Sequence, residues 1–272
     1  MSSKVLASKT MASKTLPSRT LPGEALRNIV PPIVLALVLI LCWQGLHLAT
    51  ASGAISSPAA TLARLVVLMG SGRFWLDVAE TGTAFAWALV LSIVLGIGLG
   101  VALALLRPVG EVMEPILVTF YSLPKVTLYP LVLLIFGLGM PAKIAFGIMH
   151  GLVPITLLTR NAITQLKPVY LRTAKVMRLS AFEAVRSVVL PAIIPELVAG
   201  IRIGFSLSLL GVLIGEMFAS KRGLGFTAVN AMGLGDLDTI MAIGVFLALF
   251  AVLANGGLLS LERAIRHRSA GR

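Results

Sequence analysis

The chain is short of charge, acids, aromatics and cysteine, and each shortage excludes something. Charged residues are 12% of the 272 and hydrophobic residues 57%, a balance outside the range of soluble globular domains. The single Cys42 sits in an apolar run, which excludes internal disulfides and thiolate metal sites. His47, His150 and His267 are scattered, so no histidine metal cluster is visible. The sequence contains no Gly-rich phosphate loop followed by Lys and Ser or Thr. An embedded enzyme would need a nucleophile–base pair or a carboxylate–metal cluster within the apolar runs. His150 beside Gly151 is the one candidate there, and without an evident partner it reads as helix packing. The expectation is a non-enzyme with no catalytic residue, no metal and no cofactor. A net charge of +12 would suggest nucleic acid in a soluble protein, but aromatics are only 6%. The aromatic-plus-basic surface that stacks bases is missing, so the partner is membrane lipid and not nucleic acid.

Long apolar runs are what the sequence does have. A span needs about 20 apolar residues at 1.5 Å each to cross roughly 30 Å. Six windows qualify: Ile29–Leu48, Thr83–Leu106, Pro115–Phe136, Ala142–Thr159, Pro195–Gly215 and Thr239–Leu261. The first is too long for a signal-peptide core, despite the cleavage-like Ala49-Thr50-Ala51, and reads as an uncleaved span. Gly137-Leu138-Gly139 joins the third and fourth in a tight hairpin. Segment 53–78, with Arg64, Arg73 and Asp77, is too polar to span and is expected to be a surface loop with a short amphipathic helix. Residues 3–22 repeat a basic pentapeptide, and a period of five fits neither helix nor strand, so a disordered tail is expected. Ser92, Gly96, Gly100 and Ala104 recur every four residues, a small-residue face for close packing within one subunit, with a subunit–subunit seam as the second reading.

Orientation follows from the loop cations. Lys4, Lys9, Lys14, Arg19 and Arg27 share a side with Arg107, with the loop from Arg160 to Pro191, and with Arg263, Arg266, Arg268 and Arg272. Arg64, Arg73, Lys143, Lys221 and Arg222 fall on the other side. Both termini and the 160–191 loop are therefore expected in the cytoplasm. Lys125 and Arg202 lie within spans, the first facing a wet path or a nearby carbonyl and the second either snorkelling toward the cytoplasmic face or bracing its helix. Glu216, at the far end of span five, is expected to meet Lys221 or Arg222 at the outer surface. All eleven acids fall in loops or at span ends, which argues against a transporter coupled to protons or sodium through a mid-membrane carboxylate.

The polar loop carries Arg160, Lys167, Arg172, Lys175, Arg178 and Arg186 against one acid, Glu183. Pro168 suits the first turn of a helix. Ser180-Ala181-Phe182-Glu183 is a capping box, so a second short helix is expected from Ala181 to just before Pro191. Phe182 then projects from its first turn among cations, an arrangement that suits docking into a partner's groove or lying on lipid.

From about Pro58 to Arg263 the chain resembles the permease subunit of bacterial binding-protein-dependent ABC importers, in the nitrate, sulfonate and taurine branch. Val188-Val189-Leu190-Pro191 followed by Gly200-Ile201-Arg202 carries the likeness, with Ser122-Leu123-Pro124-Lys125, Pro130-Leu131 and Phe136-Gly137-Leu138-Gly139. Gly215-Glu216-Met217 and Gly223-Leu224-Gly225 extend it. The resemblance implies an all-α integral membrane protein of the bacterial inner membrane, with six transmembrane helices, both termini cytoplasmic, and coupling helices between spans four and five. It implies a basic tail at 1–28, a permease domain at 29–264 and a second basic tail at 265–272. It also implies cytoplasmic ATPase subunits, an extracytoplasmic solute-binding protein and a second permease copy as partners. The ATPase-coupling residues are then Arg172, Arg178, Leu179, Ser180, Ala181, Phe182, Glu183 and Arg186, with Leu190, Pro191 and Gly200 as the loop motif. Lys125 and Tyr121 line the translocation path of a small, anionic solute.

The chain departs from the family's loop pattern of Glu-Ala-Ala with Gly after three more residues. Aligned from Leu190-Pro191, the Glu falls on Arg172, the two Ala on Thr173 and Ala174, and the Gly on Arg178. Losing that Gly removes an easy left-handed turn, so either the turn moves to Leu179-Ser180 or the ATPase contact is altered. The competing readings are an ion-coupled secondary transporter and a non-transporting membrane scaffold.

Overall fold

The computed structural model describes residues 22–50 and 55–270, and all regular structure among them is helical. The pentapeptide repeat, apart from Pro22, lies outside the described residues. The chain divides into two units, 1–58 and 59–272. The first holds helix α1, Pro22–Ala49. Beyond α1, the Trp43 indole donates to the Ser56 carbonyl at 3.0 Å, and the His47 ring bonds the Ile55 carbonyl at 2.6 Å.

The second unit opens on α2 (Pro58–Met69) and α3 (Gly72–Leu105). The Ser71 hydroxyl accepts the Phe74 N–H and caps α3. The polar stretch 53–78 is thus a short helix plus the first turns of a long one. The span expected to begin at Thr83 begins at Gly72, because Asp77, Thr81 and Phe74 are buried and their partners are in the protein. Helix α4 (Arg107–Ser122) is followed by a 3₁₀ turn (Lys125–Leu128) and α5 (Tyr129–Phe136), and the two helices bend by 93°. The window read as span three is therefore broken into two helices and is not one straight rod. Pro124 and Pro130 flank the break and deprive it of backbone donors. Gly137 (φ 72°) and Gly139 (φ 100°) make the tight turn into α6, Met140–Thr164. After the polar loop, which holds α7 (Pro168–Val176) and α8 (Ala181–Ala184), come α9 (Leu190–Ala219), α10 (Leu224–Gly233) and α11 (Leu237–Ala270).

Among the described residues, four apolar helical stretches are long enough to cross a bilayer: Gly72–Leu105, Met140–Thr164, Phe182–Phe218 and Leu237–Ser260, with a fifth where the bent pair is counted as one span. Ile33–Ala49 of α1 is apolar but shorter.

The core is a close bundle of α3, α6 and α9. A Cβ at Gly96 would stand 2.9 Å from the Ile155 Cβ, and one at Gly100 2.6 Å from that of Thr159. The small-residue face of α3 is therefore an internal seam with α6, as its spacing implies. Gly147 and Gly204 bring α6 and α9 equally close. Without water to drive burial, such close packing is what joins helices in lipid. Phe85 packs edge-on against Phe205 at 4.9 Å, beside Ala84, Ala88, Leu209 and Val212. Near the loop-facing end of the bundle, Arg202 of α9 pairs with Glu262 of α11 at 3.6 Å, which makes it the expected helix brace.

Gly98 offers an internal control, because nothing lies within 4 Å of its would-be Cβ. Gly100→Leu should destabilise the protein by about 1–3 kcal/mol through overpacking. Gly98→Leu should stay within about 0.5 kcal/mol. Thermal unfolding of the purified protein in detergent measures both, and equal losses would contradict the seam.

Candidate functional site: a basic loop, a broken span and a buried clamp

The polar loop begins later than its cations suggest. Helix α6 runs on to Thr164, and Arg160 is buried in it with its guanidinium 2.7 Å from Glu114 of α4. Arg160 is thus removed from the exposed set, because its acid partner lets it enter the bundle. Helix α7 (Pro168–Val176) starts on Pro168, as expected. Its last turn closes with two bonds: Leu179 N–H to the Ala174 carbonyl (3.1 Å) and Arg178 N–H to the Lys175 carbonyl (3.0 Å). That closure needs a left-handed residue just past the cap. Arg178 supplies it, at φ 52°, alone among the described non-glycine residues. The turn therefore stays where the family's Gly aligns and does not move to Leu179-Ser180. Arg172, Lys175 and Arg178 are exposed and Leu179 is half-buried.

Helix α8 (Ala181–Ala184) opens on the capping box. The Ser180 backbone N–H and hydroxyl donate to the Glu183 carboxylate at 2.9 and 2.7 Å, and the Glu183 N–H donates to the Ser180 hydroxyl at 3.3 Å. Phe182 projects beside it, 73% exposed. The helix does not stop before Pro191. A π-helical turn, Val185–Val189, carries it into α9, with the Leu190 N–H donating to the Val185 carbonyl. The wider turn absorbs the donor that Pro191 lacks, so the proline lies at the start of α9 without breaking the rod. Arg186 is exposed on that turn, and Leu190 and Pro191 are exposed just beyond it. Gly200 is buried deeper in α9, where a Cβ would stand 3.2 Å from Leu158 of α6.

Lys125 opens the 3₁₀ turn at the break and is only 7% exposed. Its ammonium donates to the Tyr121 carbonyl at 3.0 Å, one of the last carbonyls of α4. It also lies 5.1 Å from the Tyr121 ring centroid and 5.8 Å from that of Phe120, a cation–π setting. The carbonyl that receives it belongs to the end of α4. His150 bonds the Phe146 carbonyl at 2.9 Å within α6, the packing role expected of it.

At the end of the bundle away from the loop, two residues differ from expectation. Lys143, placed by the sequence among outer loop cations, and Glu216, expected to meet Lys221 or Arg222, are both fully buried. The Lys143 ammonium donates to Glu80 Oε1 (2.9 Å) and the Arg222 carbonyl (3.1 Å), and lies 3.6 Å from Glu216 Oε1. Glu216 also accepts the Thr81 hydroxyl (3.0 and 2.8 Å) and the Gly225 N–H (3.0 Å). Thr81 in turn accepts the Leu224 N–H at 2.9 Å. Asp77 accepts the Gly223 N–H at 3.1 Å and the Thr227 hydroxyl at 2.8 Å. Gly223 holds φ 114°, and a Cβ there would run into the Glu216 carboxylate. These partners explain why such charges leave water: an uncompensated buried ion costs several kcal/mol, and this one is paired and hydrogen-bonded. Sequence reasoning missed the cluster, although Lys143 and Glu216 had been assigned to the same end.

Outside the spans, Asp236 accepts the Thr239 hydroxyl (2.7 Å) and N–H (3.0 Å), and pairs with Arg64 at 2.9 Å. The Thr239 donors first, and the Arg64 guanidinium after them, hold its carboxyl below the usual range.

Residues 92–268 match the family described as binding-protein-dependent transport system inner membrane component, and the chain belongs to it. It is similar to the riboflavin transport system permease protein RibX of Chloroflexus aurantiacus, 31% identical over 81% of this chain and 83% of that one. The putative aliphatic sulfonates transport permease protein SsuC of Escherichia coli is 28% identical over 86% and 90% of the two chains. For the taurine transport system permease protein TauC of Escherichia coli the identity is 27%, over 76% and 78%. An inward-facing structure of the MetNI methionine ABC transporter shares the fold, with TM-score 0.61 and 21% identity over 70% of this chain and 96% of that one. The protein is thus a multi-pass inner-membrane permease subunit of an ABC importer. The family implies ATPase and solute-binding-protein partners.

The left-handed arginine gives a test of the loop. A left-handed non-glycine residue costs about 1–2 kcal/mol, part of which glycine's chain entropy offsets. Arg178→Gly should therefore stabilise the loop by about 0.5–1 kcal/mol. Slower amide hydrogen exchange over residues 174–180 is the expected result, and faster exchange would show that Arg178 makes a compensating contact.

Proposed function

We propose that this chain is one half of a homodimeric, six-span permease whose termini and 165–191 loop face the cytoplasm, and that the loop is the seat of the ATPase. The observation that carries this is the loop's form. An exposed aromatic, Phe182, stands on a capped turn in a loop that also exposes Arg172, Arg178 and Arg186, and it continues as one rod into the buried core. The excess of Lys and Arg on this side supports the orientation. Exposed aromatic and arginine side chains on one short loop are a composition typical of docking hot spots. Leu179, Ser180, Ala181 and Glu183 hold the turn that presents it, and Leu190, Pro191 and Gly200 fix where the rod enters the bundle. The tails at 1–28 and 265–272 flank the permease domain at 29–264.

Replacing Phe182 by Ala and Arg186 by Glu together should remove about 2 kcal/mol or more of docking energy, roughly 30-fold in affinity. ATPase co-purification with the permease measures it. Full co-purification with undiminished uptake, or uptake that persists after the ATPase is deleted, would refute the reading.

The solute, in this proposal, is a small anion, and Lys125 with Tyr121 lines its path at the broken span. Support comes from the buried ammonium, which spends one bond on the Tyr121 carbonyl while an ammonium has three donors. Similarity to taurine and sulfonate permeases supports an anion, and riboflavin, the solute of a third relative, is the competing case. A charge-assisted bond to the solute is worth about 1.5–3 kcal/mol. In reconstituted vesicles, Lys125→Met should therefore lower uptake of an alkanesulfonate or nitrate by roughly tenfold or more, and Lys125→Arg should retain it. Unchanged anion uptake in the Met variant, or uptake of riboflavin alone by the parent, would overturn the assignment.

A further inference from the structure

We infer that Asp77, Thr81, Lys143 and Glu216 form a transmission clamp that makes α10 move as one body with α3, α6 and α9, so that a load applied to α10 enters the helices that lead to the loop. The inference rests on the importer reading, in which a solute-binding protein docks at the end of the bundle away from the ATPase.

Three consecutive backbone N–H groups open α10, and no side chain of α10 caps them. Each goes to a different acceptor: Gly223 to Asp77, Leu224 to Thr81 and Gly225 to Glu216. Two acceptors come from α3 and one from α9, while Lys143 of α6 supplies the countercharge to Glu216 at 3.6 Å. A helix start attracts negative charge through these unpaired donors. Here the protein fills its own anion site with side chains from the bundle.

A helix end needs only one or two such bonds to be stable, and water or a local Ser or Asp supplies them at an exposed terminus. Drawing all three from distant, buried residues ties the end to two helices at once. Each bond lies among buried groups: Lys143 and Glu216 are fully buried, and Thr81 and Asp77 nearly so. Losing one leaves an unsatisfied group in a dry site, so α10 cannot tilt without opening the whole cluster. Both glycines at the joint are required by the close approach, since a Cβ at Gly225 would stand 2.5 Å from the Leu213 carbonyl. That arrangement suits a rigid lever better than a hinge. Thr81 is the keystone because its one hydroxyl donates to Glu216 and accepts from Leu224.

The test uses the complex of permease and ATPase, with Cys42→Ser and paired spin labels at Val90→Cys on α3 and Met232→Cys on α10, both exposed positions. The parent should give one narrow inter-label distance that is the same at rest and after trapping with ATP and orthovanadate. Thr81→Val preserves volume and removes both bonds; it should broaden the distribution about twofold through local opening, with Thr81→Ser restoring it. Glu216→Gln should act the same way, and Thr81→Val decides the matter where that variant fails to fold. A parental distance that shifts on trapping, or a Thr81→Val distribution identical to the parent's, overturns the clamp. A parental complex that hydrolyses no ATP defeats the importer reading, and the transmission role with it.

Discussion

Everything in this molecule depends on how closely α3, α6 and α9 approach one another. In hydrocarbon there is no hydrophobic gain from bringing apolar helices together, so adhesion comes from packing and from polar groups that find partners inside. Glycines at 96, 100, 147 and 204 allow that approach. The buried charges exploit it: Lys143 reaches Glu216 only because α6 and α9 are in contact where a Gly215 Cβ would touch the Lys143 backbone at 3.0 Å. The polar clamp and the glycine seam are consequences of the same spacing.

The features legible in the sequence were those governed by local periodicity. The capping box at Ser180–Glu183 needs only four residues, and it formed as read. The glycine hairpin at 137–139 and the small-residue face of α3 are likewise short-range signals. Hydropathy located the long apolar helices, because length and composition decide that alone. What escaped were partners far apart in sequence. Lys143 meets Glu80, Arg222 and Glu216 across 63, 79 and 73 positions. Counting loop cations treats each charge as solvated, so it missed the burial of Lys143 and Arg160, which the bundle neutralises with Glu216, Glu80 and Glu114. The break at Lys125 was masked for a related reason. An apolar window of the right length looks the same whether its helix is straight or bent by 93°. The two flanking prolines carried the signal, and their spacing of six residues marks where two helices were possible instead of one.

Arg178 shows how a departure from a family pattern is absorbed. The two bonds that close α7 fix the left-handed turn at that position whatever residue stands there. A side chain with a Cβ pays strain to occupy it, and strain of this kind persists where the surroundings over-determine the conformation. Ala174 is buried beneath the turn while the arginine is exposed, so the backbone is held from below and the cation stands free. The substitution therefore changes the surface offered to a partner and leaves the turn in place.

The rod Phe182–Phe218 links the two ends of the bundle. Its 37 residues span roughly 55 Å at 1.5 Å each. Near one end it carries Phe182 and Arg186, and near the other it carries Glu216, bonded to α10 and α3. The π turn at Val185–Val189 is what keeps these on one element, since a break at Pro191 would have left the loop helix free to pivot. With the break removed by a wider turn, a displacement at Phe182 can be taken up by α9 as a whole, and α9 cannot slide without carrying its glycine contacts on α6. Motion in such a bundle is then the movement of a few stiff bodies between discrete packings. The bent pair packs on this body through Tyr129 and Val132 of α5, while Leu134 and Ile135 further along are exposed. A path lined at Lys125 would accordingly open or close where rigid rods pass a bent one.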